Sequence, residues 1–168
     1  EAIIALNEAR ILEKHGFTVE RALNGADAVA RIKEGAPPDL VLMDIDLGPG
    51  MDGTEAARRI LEVRELPVVF LTNHAERKMV DKVKGITRYG YILKSSGEFV
   101  LVEAITMAFE LFDAIQREQR SRRSYQRIFE QANDAIFVNS TDDRILEVNQ
   151  KACELTGYSR EELVSMRI

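Results

Sequence analysis

Short apolar runs that lead into helix-forming stretches constrain this chain more than any other feature. Asp39-Leu-Val-Leu-Met43 and Pro67-Val-Val-Phe-Leu71 lack the polar alternation of a strand with one wet face, and continuous apolarity is the form of a strand covered on both sides in a parallel sheet. Tyr91-Ile-Leu93 is a third, shorter run. The stretches between them carry helix-start signals. Asn24 precedes Val29 and Ile32, Asp52 with Glu55 precedes Ala56, Ile60 and Leu61, Asn73 with Glu76 precedes Met79, Val80 and Val83, and Ser95 with Glu98 precedes Phe99; such side chains satisfy the free N–H groups of a first turn. An opening helix over 1–15 sets Ala2, Ala5, Leu6, Ala9 and Leu12 on one stripe and stops at Gly16, a residue suited to the left-handed position that ends helices. Thr18 to Leu23 is a further strand candidate. Strand then helix, with connections too short for anything but crossovers, predicts an α/β fold: a parallel sheet with helices on both faces.

Composition narrows the chemistry. The net charge of -5 argues against nucleic acid as the main partner, and the basic cluster from Arg117 to Arg127 is interleaved with Glu118 on a predicted helix, a solvated face. One cysteine, Cys153, and two isolated histidines, His15 and His74, leave no disulfide framework and no ligand cluster for zinc. No apolar run approaches the roughly 18 residues that cross a bilayer, so a reducing, cytoplasmic setting is expected. Glu1 stands where a start methionine would be, and the natural start is expected further upstream.

In open parallel sheets chemistry collects at the carboxyl ends of the strands. The residues just past the three apolar runs are Asp44, Thr72 and Lys94. A carboxylate there can attack phosphorus, a hydroxyl can donate to a phosphoryl oxygen, and an ammonium can neutralise the charge that builds up. A hard dication such as Mg2+ would screen the two approaching anions. Taken singly, Asp44 reads as a turn former, Thr72 as a strand terminus and Lys94 as a surface charge.

Taken together, Pro38-Asp-Leu-Val-Leu-Met-Asp44-Ile-Asp-Leu-Gly-Pro-Gly-Met-Asp-Gly53, Val69-Phe-Leu-Thr72 and Tyr91-Ile-Leu-Lys94 resemble, in order and spacing, the three motif blocks of response-regulator receiver domains of two-component signalling. The resemblance implies a flavodoxin-like doubly wound sheet. It also implies a phospho-accepting Asp44 served by a histidine kinase, a switch hydroxyl at Thr72, a phosphate-pairing amine at Lys94, and an aromatic at Tyr91 whose rotamer follows the switch. For Tyr91 the plain alternative is a half-buried strand residue with a wet hydroxyl. The family's Mg2+ would take Asp44 and the main-chain carbonyl of Asp46, together with an acidic pair at the end of the family's first strand. Glu1 matches the position after that pair, so the first strand is expected to be missing from this chain, the metal site incomplete, and the chain a piece of a longer protein. Asn73 replaces the usual small residue after the switch hydroxyl, and Ser95 replaces the usual proline after the lysine. Asp46 and His74 fall at positions that tune acyl-phosphate lifetime in the family.

The helix from Phe99 carries two apolar stripes, Val102, Ile105, Phe109 and Phe112 on one and Leu101, Ala104, Ala108, Leu111 and Ile115 on the other. One serves a core and the other wants a partner, so a homodimer through the 97–131 helix is expected. Residues 113–131 continue without Gly or Pro as one long helix; an ordinary solvated linker is the alternative. From Tyr125 the chain resembles the N-terminal part of a PAS domain: Tyr125 to Val138, then Ile145 to Leu163. Asp134 to Val138 and Ile145 to Val148 read as strands around a Ser140-Thr-Asp-Asp143 turn, and Asn149 starts a short helix. Its ligand is not readable; Cys153 reads as a small core residue rather than a flavin-reactive thiol. The expected organisation is a receiver at 1–116, a helical linker at 117–124 and PAS residues at 125–168, within a sensor histidine kinase. A diguanylate cyclase output and a degenerate, scaffolding receiver, disabled by Asn73 and Ser95, are the alternatives.

Overall fold

The computed structural model describes residues 2–48, 50–73, 83, 85–87 and 89–166, with backbone alone for residues 2–5. Glu76, Met79, Val80 and His74, and with them the helix expected after Asn73, lie outside the described residues. The chain divides into two units, Glu1–Ala114 and Ile115–Ile168.

The first unit contains helices α1 (Ala2–Lys14), α2 (Gly25–Glu34) and α3 (Gly53–Val63), strands β1 (Val41–Asp44), β2 (Val68–Thr72) and β3 (Tyr91–Leu93), and the start of α4 (Gly97–Gln131). The strands form one parallel sheet in the order β1-β2-β3. All five residues of β2 are buried, which is why its text shows no polar alternation. Val68 and Phe70 join a cluster with Val29, Ile32, Met43 and Ile60 from α2, β1 and α3. Val69 and Leu71 join a different cluster with Leu12, Ile92, Leu101 and Ile105 from α1, β3 and α4. Alternate side chains of one strand thus feed two cores, and helices cover both faces as a doubly wound sheet requires.

Local signals hold where the cap is short-range. Asn24 Oδ1 accepts from the Asp27 N–H at 2.9 Å, and Asp52 Oδ1 accepts from the Glu55 N–H at 2.8 Å and from Thr54 Oγ1 at 2.7 Å. Gly16 ends α1 at φ +87. The Asp52→Ala variant is expected to lose about 1 to 2 kcal/mol from the first unit, read as a lower urea midpoint with an unchanged slope.

Two expectations change in the first unit. Thr18 to Leu23 is not a strand. A strand needs a neighbour for its backbone groups, and among the described residues none pairs with this segment; it is held by side chains instead, Phe17 and Val19 packing on the second cluster while Leu23 is exposed. The Ser95–Glu98 capping signature also yields. α4 begins at Gly97, and the Glu98 carboxylate accepts from Lys14 Nζ and pairs with His15 Nε2, each at 2.8 Å. Those two contacts hold the Glu98 carboxyl below the usual range.

The second unit holds the remainder of α4, the antiparallel pair β4 (Phe137–Asn139) and β5 (Ile145–Val148), and the short helices α5 (Gln150–Thr156) and α6 (Arg160–Ser165). The turn falls at the expected polar segment, with Asp143 at φ 58. β4 starts three residues later than the sequence suggests because the backbone of Asp134 and Ile136 is taken by the Asn149 side chain instead of the ladder. Ile145, Val148, Ala152 and Leu163 form the core, with Ala135 and Cys153 packed against it, so Cys153 is a small packing residue.

Candidate functional site

Parallel register brings the three chemistry-bearing positions to one rim. Asp44 ends β1 opposite Leu71, Thr72 ends β2 opposite Leu93, and Lys94 follows β3 with its N–H on the Thr72 carbonyl at 2.9 Å. Across the rim Lys94 Nζ donates to Asp44 Oδ2 at 2.5 Å. The Lys94 side chain is only 6% exposed and that of Asp44 23%. An ammonium so removed from water is tolerable only with a charged partner; the carboxylate supplies it and keeps a path to solvent. The Asp46 N–H donates to Asp44 Oδ1 at 3.1 Å, fixing the other carboxylate oxygen.

The floor of the site is backbone. The Gly53 N–H donates to the Ile45 carbonyl at 3.0 Å, and a Cβ on Gly53 would overlap the Asp44 carbonyl oxygen. The N-terminus of α3 therefore lies directly against the end of β1, which only glycine permits.

Thr72 is buried at the rim, while Asn73, Asp46 and Ser95 are exposed. Tyr91 is 40% exposed at the start of β3, matching the partly wet strand residue that its position allows. The Lys94–Ser95 bond is trans. Glu8 of α1 is a neighbour that sequence reasoning missed. Burial raises its carboxyl above the ordinary range, Lys94 opposes that rise and Asp44 adds to it, so Glu8 lies within electrostatic reach of both. Its only signal in the sequence is a carboxylate set three and four residues before Ile11 and Leu12, along the buried side of α1.

The implied Mg2+ does not fit the described residues by themselves. Among them no three His, Cys, Asp or Glu side chains converge as a metal site, and both oxygens of Asp44 are engaged by Lys94 and by the Asp46 N–H.

Residues 1–106 match the response regulator receiver domain family, and residues 123–168 match a PAS domain. The transcriptional regulatory protein PdtaR of Mycobacterium tuberculosis (strain ATCC 25618 / H37Rv) is 30% identical over 115 residues, covering 68% of this chain and 56% of that protein. The chain thus spans little more than half the length of that relative. A solved N-terminal domain of a response regulator/sensory box/GGDEF 3-domain protein from Carboxydothermus hydrogenoformans is 48% identical, with a TM-score of 0.64 over 68% of this chain and 91% of that one. The signal receiver domain of a signal transduction histidine kinase from Syntrophus aciditrophicus is 26% identical, with a TM-score of 0.58 over 66% and 84% of the two chains. No described helix is long and apolar enough to cross a membrane. With its parallel sheet, its acid and amine paired at the sheet rim and these matches, the chain belongs to the response regulator receiver family of two-component signalling, joined to PAS-family residues.

Proposed function

We propose that Asp44 accepts a phosphoryl group from a histidine kinase and that the resulting change in the receiver passes along α4 to the PAS residues. The observation that carries this reading is the Lys94–Asp44 pair at 2.5 Å, a nearly buried cation held where phosphate charge would appear. A carboxylate oxygen of Asp44 attacks phosphorus, the bond from phosphorus to the donor breaks, and the acyl phosphate brings roughly -2 charge to the rim. Lys94 exchanges its carboxylate partner for a phosphoryl oxygen, and the Thr72 hydroxyl turns to donate to another. The Asp46 N–H holds the carboxylate plane throughout. Tyr91 follows Thr72 as the aromatic of the switch. Receivers as a family use Mg2+ for phosphorylation; Asp44 and the Asp46 carbonyl would be two of its ligands here and do not make a site by themselves. Asp46 and His74 set the lifetime of the acyl phosphate, and exchanging both is expected to change the dephosphorylation half-life.

Residues 1–116 act as receiver, 117–124 as helical linker and 125–168 as PAS residues in a cytoplasmic protein. Exposed Phe99 and Met107 on α4, at 76% and 65%, support a homodimer through the 97–131 helix. A sensor histidine kinase is the proposed whole, in keeping with the Syntrophus relative. A diguanylate cyclase output is the second reading, favoured by the Carboxydothermus protein, in which a response regulator is followed by a sensory box, the order found here, and then by GGDEF.

The test is to incubate the full-length protein with acetyl phosphate and Mg2+ and to read intact mass. A phosphoryl increment in the wild type that is absent from Asp44→Asn is expected. No increment in the wild type would overturn the reading in favour of a scaffold.

A further inference from the structure

Asn149 is completely buried, and every polar position of its amide is used. Nδ2 donates to the carbonyls of Phe129 at 3.0 Å and Asp134 at 2.9 Å, while Oδ1 accepts from the N–H groups of Ile136 at 2.9 Å and Ala152 at 3.0 Å. Two donors and two lone pairs are all that a carboxamide offers. Asn149 is also the N-cap of α5 and immediately follows β5. A single side chain therefore joins the end of α4, the entry to β4, and the start of α5.

The Phe129 bond is the informative one. Phe129 lies among the last four residues of α4 (Gly97–Gln131), whose carbonyls have no partner within the helix. The amide of a residue 20 positions later supplies one. Capping α5 needs only Oδ1, so serine or aspartate would serve there; the amide nitrogen is surplus to that role and points to a second. Nearby links run the same way. Glu130 accepts from the Gln150 N–H at 3.0 Å and from Arg160 at 2.6 Å, and Tyr125 OH donates to Glu147 at 3.1 Å. Those contacts are exposed and exchange with water at little cost, whereas Asn149 itself is fully buried and its bonds to Phe129 and Ala152 are shut off from water.

We propose that Asn149 is a positioning residue that registers the last turn of α4 to the β4–β5 pair, so that displacement of α4 is delivered to the PAS residues through its amide nitrogen. The signalling half of this inference rests on the reading that the receiver drives α4.

Asn149→Asp separates the two roles. It keeps the oxygen that accepts from Ile136 and Ala152 and sets a second oxygen against the Phe129 and Asp134 carbonyls. Hydrogen exchange on the full-length protein is expected to show the amides of 127–133 opening roughly tenfold more often, with the amides of Ile136 and Ala152 unchanged. A merely stabilising residue would raise exchange at all of these alike, and that result would overturn the proposal. With acetyl phosphate and Mg2+, the wild type is expected to change exchange both in 97–120 and in 145–148, and Asn149→Asp in 97–120 alone. Asn149→Ser, which keeps the local cap on Ala152 but not the bonds to Phe129, Asp134 and Ile136, repeats the test without added charge if the aspartate variant fails to fold, with Ala152 as the amide expected to stay unchanged. The proposal falls if 127–133 exchange as in the wild type and 145–148 still respond to the donor. A wild type in which the donor changes nothing from 97 onward sinks the receiver reading, and the registry role is then judged on exchange at 127–133 alone.

Discussion

Lys94→Ala is expected to slow phosphorylation of Asp44 by acetyl phosphate by a factor on the order of 100 to 1,000, the cost of removing one preorganised donor from a site where charge develops. The wild-type side chain is preorganised in a specific sense. Its ammonium is nearly excluded from water and already sits 2.5 Å from the reacting carboxylate, so little reorganisation remains when the phosphoryl group arrives. Lys94→Arg keeps the charge, but a planar fork replaces a compact cation in a closed space, and only partial rescue is expected. A time course of intact mass across the three proteins measures this directly. Equal rates in the wild type and Lys94→Ala would show that the amine merely neutralises Asp44 in the resting protein, and would remove the main support for the phosphoacceptor reading.

How much of this arrangement can be read from the amino acids depends on how local its causes are. β2 is readable because a strand buried on both faces must be apolar throughout, and Val68 to Leu71 supply both clusters. The Asn24 and Asp52 caps are readable because donor and acceptor lie three residues apart. Thr18 to Leu23 is misread because strand propensity is a property of the segment, whereas a ladder belongs to a pair of segments. Glu98 looks like a capping residue until α1 brings Lys14 and His15 to it across more than 80 positions. The start of β4 is misplaced for the same reason, since Asn149 removes two backbone groups from the ladder from 13 and 15 residues away. At the site, the succession of Asp44, Thr72 and Lys94 at strand ends is visible in the text. The approach of Glu8 is not, because its spacing from Ile11 and Leu12 marks a side of α1 but says nothing of Lys94 and Asp44 beyond it.

Gly53→Ala is expected to be the most damaging substitution of a single hydrogen by a methyl group in the first unit. The added carbon would overlap the Asp44 carbonyl oxygen and lie 2.8 Å from the Asp44 carbonyl carbon and 3.1 Å from the Ile45 Cα. All three neighbours are backbone, so no rotamer change relieves the clash. Either α3 retreats, losing the Gly53 N–H bond to the Ile45 carbonyl, or the end of β1 shifts and carries Asp44 with it. Overpacking of this kind costs about 1 to 3 kcal/mol, and a displacement near 1 Å at a reacting group can cost roughly a hundredfold in rate. Both a lower melting temperature and slower phosphorylation are therefore expected. Gly16→Ala is the proper comparison, because Gly16 has φ +87 but open space around its Cβ position. There the penalty is conformational, about 1 to 2 kcal/mol, and the site lies elsewhere, so stability should fall while phosphorylation proceeds at the wild-type rate. If Gly53→Ala lowers stability no more than Gly16→Ala and leaves the rate intact, the close approach of α3 to β1 is not what positions Asp44.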